Sequence, residues 1–356
     1  MNGPQFARIA GLAEQRHIPL NVTLEITQAC NLRCAHCYNF DRELPRHPDP
    51  RRAAALSDAE IHRIIDEVRA EGALFLAFTG GEPTAHPALV DFVAHASTTG
   101  MFTRLKSNGT HLTRLRVERL VAAGLQAVDV SVYGADADTH DAFVRRPGAF
   151  AHTVAGLRRA REAGIAVHIV FVLSRANADV VPDMAELAET LGVSHGFDTQ
   201  ITARYDGSRS SLDLALDRAA FERLYRGPLA KYVGPGIKVG RIACPCARVV
   251  CGIGSSGDVY PCIGAPLPSG NLRASSFREI WRHSPQLQWV RSLANGDFQA
   301  CSGCAHLPHC RRSSGVMLAN TGSFTGPARF GDDLVCTEAE IVHALADRGA
   351  RSEQTR

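Results

Sequence analysis

Between residues 21 and 201 the chain repeats one pattern. A short apolar run is followed by a polar loop, then a segment with apolar positions three and four apart, then a glycine. Runs at 22–27, 74–79, 102–107, 127–132, 167–173 and 196–201 read as strands. The segments between them read as helices. Ile61, Ile64, Ile65 and Val68 predict one buried face; Leu89, Val90 and Val93 a second; Val117, Leu120 and Val121 a third. Val154 and Leu157 supply a fourth, and Val181, Met184, Leu187 and Leu191 a fifth. Ser57 and Glu60 have capping-box spacing. Gly72, Gly100, Gly124, Gly164 and Gly192 stand where a left-handed residue closes a helix. Six strands alternating with helices predict an α/β fold with a parallel sheet and right-handed crossovers. An open partial (β/α)6 barrel and a doubly wound sheet both fit, and both put ligands at the carboxyl ends of the strands.

After about residue 204 the periodicity fades. Residues 212–226 read as a helix, 276–283 as a short one, and 337–347 as another, with Thr337 and Glu340 as its capping box. From Gly234 onward the chain is rich in Gly, Pro and Cys. Such a segment cannot build a large apolar core, and bound metal is a natural means of holding it. The expected organisation is an N-terminal extension 1–20, a barrel 21–230, a small C-terminal domain 231–345 and a flexible polar tail 346–356.

A length of 356 residues suits about two domains. The balance of 39 basic against 36 acidic residues does not suit a general nucleic-acid binder. The longest apolar run, 165–173, is broken by His168 and falls short of the roughly 20 residues a membrane span needs. The first 20 residues show no signal-peptide core, so a cytoplasmic location is expected.

The 11 cysteines change the picture. An odd number without a signal peptide speaks against a disulfide scaffold. They form three groups: Cys30, Cys34, Cys37; Cys244, Cys246, Cys251, Cys262; and Cys301, Cys304, Cys310, Cys336. The first follows the first strand directly. Three thiolates on a tight loop can hold three irons of a [4Fe–4S] cube and leave the fourth open to a ligand. The alternative is zinc, with His36 completing a tetrahedral set.

The spacing Cys30-x3-Cys34-x2-Cys37 resembles the signature of the radical S-adenosylmethionine (radical SAM) superfamily. Gly80-Gly81-Glu82-Pro83 after the second strand is similar to that family's GGEP motif. Ser107-Asn108-Gly109-Thr110 follows the third strand, and Ser131-Val132-Tyr133-Gly134 the fourth. The resemblance implies a [4Fe–4S] cluster on Cys30, Cys34 and Cys37 whose open iron chelates S-adenosylmethionine (SAM). One electron then yields a 5′-deoxyadenosyl radical that takes hydrogen from a substrate. It also implies Gly80 and Gly81 near the methionyl amine, with Pro83 completing the motif, and Glu82 on that amine or capping its loop. Ser107, Asn108 and Ser131 would face the ribose or carboxylate, and Tyr38 the adenine. Relatives place an arginine near the carboxylate where this chain has Val144, with Arg145 and Arg146 beside it; Arg145 is the candidate.

Cysteines 244, 246 and 262, Gly257, and Cys301-x2-Cys304-x5-Cys310 with Cys336 resemble the SPASM domain, a cluster-bearing appendage of certain radical SAM enzymes. Ser314 stands where that domain usually has a cysteine. The resemblance then implies two auxiliary [4Fe–4S] clusters, one on Cys244, Cys246, Cys251 and Cys262, the other on Cys301, Cys304, Cys310 and Cys336. A three-cysteine first cluster with an open iron, and a zinc ribbon for the late group, are the rivals.

Enzymes of this kind commonly modify ribosomal peptides. The expected function is a peptide-modifying maturase that forms a cross-link or oxidises a side chain. The alternatives are a dehydrogenase or decarboxylase for a small molecule or tetrapyrrole, and a non-catalytic iron–sulfur electron carrier. A flavodoxin or ferredoxin is the expected reductant. With about 20 residues before the first strand, leader recognition is expected from a separate protein or from the SPASM region. Asp129, Asp198, Arg204, Tyr205 and Asp206 lie near predicted strand ends, and the expectation is that they are structural.

Overall fold

The computed structural model describes residues 4–232, 242, 244–326 and 334–354. Six strands form the expected parallel series: β1 Asn21–Thr27, β2 Phe75–Gly80, β3 Phe102–Ser107, β4 Ala127–Val132, β5 Ala166–Val172 and β6 Ser194–Asp198. The last begins and ends earlier than the apolar pattern suggests, because Ser194–Asp198 pairs with β5 through its backbone although its own side chains are mostly polar or small. The strand order is β6-β5-β4-β3-β2-β1 without reversal. A doubly wound sheet needs a reversal at its switch point, so the partial barrel is the outcome.

Two further strands were not legible in the sequence. β7 Val250–Ile253 adds in parallel beyond β1, and β8 Val259–Tyr260 pairs antiparallel with β7, making one eight-stranded sheet.

Alternation along the strands explains both faces. Val22, Leu24 and Ile26 of β1, Leu105 of β3 and Val128, Val130 and Val132 of β4 are at most 1% exposed and pack under the helices. The intervening residues Thr23, Lys106, Asp129, Ser131, Val170 and Val172 line an inner cavity. The covering helices supply the expected apolar faces, with Ile61, Ile64, Ile65 and Val68 fully buried. Val121 is an exception. It lies on the solvent side of the helix Arg114–Ala122 at 39% exposure, while Val117 and Leu120 are buried. Ser57 and Glu60 form the capping box, worth about 1 kcal/mol. The five helix-closing glycines all have positive φ, from 62° at Gly192 to 99° at Gly72.

The C-terminal elements depart from expectation in two places. Residues 212–226 split into a 3₁₀ turn, Ser210–Leu214, and a helix, Arg218–Arg226, because Asp217 caps a new start by accepting from the Ala220 amide at 2.8 Å. The last helix runs Leu334–Gln354, so Thr337 and Glu340 lie inside it and form no capping box, and the supposed tail is helical through residue 354. Residues 233–241, where the composition changes, lie outside the described residues. No helix among the described residues is long and apolar enough to cross a membrane.

Candidate functional site

The carboxyl ends of β1 to β6 open on a cavity of about 400 Å³, within the range of small-molecule sites. Cys30, Cys34 and Cys37 form one wall. Their loop is anchored by backbone bonds from Arg33 to the Val144 carbonyl (3.1 Å) and from Ala35 to the Phe143 carbonyl (3.3 Å). Burial pushes the Cys30 and Cys34 thiols up. Left alone they stay protonated at neutral pH, so thiolates here need a bound cation. Arg42 donates from Nε to Cys37 Sγ at 3.1 Å and from Nη1 to the Gln28 carbonyl at 2.7 Å.

His36 is enclosed by Tyr133 and Phe143, ring centroids 5.0 and 5.1 Å away. Burial lowers its pKa to about 4. Among the described residues no three His, Cys, Asp or Glu side chains converge as a single metal ion requires. Cys30, Cys34 and Cys37 all line this one wall, as three ligands of a cube would.

The Gly80–Gly81 turn is built against the cysteine loop. The Gly81 amide bonds the Thr27 carbonyl and the Glu82 amide the Ala29 carbonyl, both at 2.8 Å. A Cβ on Gly80 would stand 2.1 Å from the Thr27 carbonyl oxygen, and one on Gly81 2.4 Å from that of Ala29. The glycines are thus required by the chain itself, whatever ligand they meet.

Of the two readings of Glu82, the loop cap is the one its geometry supports. Its fully buried carboxylate accepts from Thr84 N (3.0 Å), Thr84 Oγ1 (2.5 Å), Ser107 Oγ (2.8 Å) and Asn108 N (2.8 Å). Pro83 starts the short 3₁₀ turn that follows. Asn108 donates to Asn31 Oδ1 at 2.9 Å, joining the β3 loop to the cysteine loop. Ser107, Asn108 and Ser131 line the cavity with Gly80 and Gly81.

Tyr38 also lines the cavity, but its hydroxyl donates to Glu25 Oε1 at 2.7 Å and its ring meets Tyr205 edge-on. Arg145 lies outside the lining. It closes the helix Ala137–Val144 in a left-handed conformation and pairs with Glu43. Arg146 donates to the Asn31 carbonyl at 2.8 Å.

The far wall carries residues that no motif announces. Lys106, Asp129, Asp198 and Tyr205 face the cavity. Arg104 pairs with Asp129 at 2.5 Å. Asp198 opens on the cavity with its side chain exposed at the strand end, where the surrounding walls raise its pKa and the amide of Gln200 and the charge of Lys106 oppose the rise. Asp129, Asp198 and Tyr205, expected to be structural, are therefore at the site. Arg204 and Asp206 are framework: Arg204 donates to the Ala35 carbonyl, and Asp206 accepts from the Asp41 amide.

The second cysteine group divides. Cys244 and Cys246 have their sulfurs 2.9 Å apart, and Cys262 lies beside Cys246. Cys251, the expected fourth thiol of this set, has Cys262 among its charged neighbours. It is fully buried in β7, in register with Val22, its thiol directed at the Gly252 and Tyr260 carbonyls. The third group is gathered as expected: Cys301, Cys304, Cys310 and Cys336 line one small cavity. Ile263 and Gly264, just past Cys262, belong to the main cavity wall.

The model of the radical SAM superfamily matches residues 24–188, and that of an iron–sulfur cluster-binding domain, SPASM, matches 244–305. The AdoMet-dependent heme synthase of Methanosarcina barkeri is 31% identical over 335 residues, covering 86% of this chain and 94% of its own. The PqqA peptide cyclase of Rhodopseudomonas palustris is 32% identical over 342 residues, covering 89% and 88%. In three dimensions the chain resembles Streptococcus suis SuiB bound to the precursor peptide SuiA, with a TM-score of 0.68 at 18% identity over 94% of this chain and 82% of that one.

Proposed function

Because this chain belongs to the radical SAM superfamily and carries a SPASM iron–sulfur domain, we propose that it is a peptide-modifying maturase that cross-links or oxidises a ribosomally made peptide. It is a radical SAM enzyme that binds SAM and iron–sulfur clusters. Cys30, Cys34 and Cys37 would hold a [4Fe–4S] cluster, which when bound would supply the electron for reductive cleavage of SAM and so the hydrogen-abstracting chemistry of the family. The observation that carries the peptide reading is the 32% identity with PqqA peptide cyclase along 89% of the chain.

Cys30, Cys34 and Cys37 hold that cluster, and Arg42 donates to the Cys37 sulfur. Gly80, Gly81, Ser107, Asn108, Ser131 and Tyr38 bound the SAM side of the cavity, and Glu82 with Pro83 fixes the loop that presents them. Arg145 contributes at a distance by closing its helix. Lys106, Asp129 and Asp198 face the substrate and suit a polar or charged peptide group.

Two auxiliary clusters complete a total of three, one around Cys244, Cys246 and Cys262, the other on Cys301, Cys304, Cys310 and Cys336. The functional division falls near residue 230, the barrel handling SAM and the remainder the auxiliary clusters. A cytoplasmic flavodoxin or ferredoxin serves as reductant, and a separate protein or the SPASM region recognises any peptide leader.

Identity with the heme synthase favours a second reading, a tetrapyrrole or other small molecule as substrate. The test is anaerobic incubation of reduced enzyme with SAM and candidate short peptides, followed by mass spectrometry. A peptide lighter by two hydrogens, with 5′-deoxyadenosine formed, supports the maturase. Conversion of a tetrapyrrole alone overturns it. Cys34→Ala should abolish 5′-deoxyadenosine.

A further inference from the structure

We propose that Ser314 supplies, through its hydroxyl oxygen, the fourth ligand of the cluster held by Cys244, Cys246 and Cys262, while Cys251 serves the core alone. The inference rests on the auxiliary-cluster reading above and deepens it.

The serine stands at the right place. It is fully buried and opens the helix Ser314–Thr321. Its hydroxyl and its amide both lie beside the Cys244 sulfur. The start of that helix is seated on the turn after Cys262: a Cβ on Gly315 would stand 2.3 Å from the Gly264 carbonyl oxygen. The turn after Cys262 and the start of the serine's helix are therefore in direct backbone contact.

Arg312 prepares the oxygen. Its Nη1 donates to Ser314 Oγ at 2.8 Å, and its Nη2 to the Phe324 carbonyl at 2.7 Å. The guanidinium is 5% exposed and lies over the Phe298 ring. A hydroxyl oxygen has two lone pairs and one proton. Arg312 takes one pair, which leaves the other for iron. Bound to iron, the oxygen would give up its proton to bulk solvent, and the adjacent guanidinium would favour the charged oxygen.

Cys251 is committed elsewhere. Its strand is paired with β1 from Asn21↔Val250 to Leu24↔Ile253. Its side chain is fully buried in the core, the thiol aimed at the Gly252 and Tyr260 carbonyls. The oxygen ligand makes one iron unlike the other three. Of the two auxiliary groups this one adjoins the catalytic cavity, because Ile263, Gly264 and Val316 all form part of the cavity wall.

The test uses the full chain with Cys30→Ala, Cys34→Ala and Cys37→Ala, so that only auxiliary clusters contribute. After anaerobic reconstitution with iron and sulfide, iron per chain and the EPR spectrum of the reduced protein are measured. Cys251→Ala should keep the parent's iron and spectrum, whereas Cys246→Ala should lose one cluster's worth of iron. Cys251→Val, which suits a strand, replaces the alanine variant if that does not fold. Ser314→Cys should retain the iron but change the g-values, and Ser314→Ala should make one iron exchangeable. Loss of a cluster in both Cys251 variants overturns the proposal, as do Ser314 variants whose spectra match the parent. A parent that takes up no iron instead overturns the auxiliary-cluster reading on which it stands.

Discussion

Arg42 places its Nε 3.1 Å from the sulfur of Cys37 while its guanidinium lies 4.2 Å above the Phe40 ring. A cation held this way stabilises negative charge on the sulfur, and a hydrogen bond to a charged group contributes about 1.5–3 kcal/mol. Arg42→Ala should therefore retain the iron at residues 30–37 yet form 5′-deoxyadenosine roughly tenfold more slowly or worse. Quantifying the nucleoside against iron content checks this, and an unchanged rate would remove Arg42 from the site.

Gly80→Ala should be far more damaging than Gly100→Ala. Both glycines have positive φ, but an added Cβ meets the Thr27 carbonyl oxygen at 2.1 Å in one case and open space in the other. The Gly100 variant should lose only the left-handed penalty, about 1–2 kcal/mol. The Gly80 variant must displace the backbone leading to Cys30 and should lose SAM binding as well as stability. Denaturation midpoints and equilibrium binding of SAM to the reconstituted protein separate the two.

Glu82→Gln substitutes an amide for a buried carboxylate that accepts four hydrogen bonds. At least one donor is then left facing an NH2 group, at a cost of about 1–3 kcal/mol. Chemical denaturation should show that loss. A variant as stable as the parent would mean that the loops after β2 and β3 do not depend on this carboxylate.

Asp198 sets a pH dependence whose sign follows from its raised pKa. As pH climbs past the ordinary value of 3.8, the unfolded chain ionises before the native one. Native stability from this group is full below that value and declines until the native pKa is passed. Asp198→Asn should flatten this part of the stability profile. Unfolding free energies across the acid range, in parent and variant, provide the measurement.

The six barrel strands and their helices could be read from the chain because alternating burial writes itself into alternating residue types, as in Val128, Asp129, Val130 and Ser131. The same alternation marks Asp129 as inward-facing, since it stands between Val128 and Val130, which turn the other way, and Lys106 follows the buried Leu105 in the same sense. β7 and β8 escaped because Val250–Ile253 is four residues long and contains Cys251 and Gly252, which a cluster-forming segment would also contain. The cysteine spacing announced the thiol wall, but not Arg42 or Glu25, which belong to no pattern and reach Cys37 and Tyr38 only through folding. Thr337 and Glu340 misled because a capping-box spacing in mid-helix looks the same in sequence as one at a start.

The hairpin of β7 and β8 closes the flank of β1, whose other side pairs with β2. The strand that leads into the first cysteine loop thus depends on chain that follows it by more than two hundred residues. A protein truncated near residue 230 would expose an unsatisfied row of amides and carbonyls along that strand, which invites self-association. During synthesis the same row stays bare until residues 250–253 have emerged, so the barrel cannot be finished before the late half of the chain arrives.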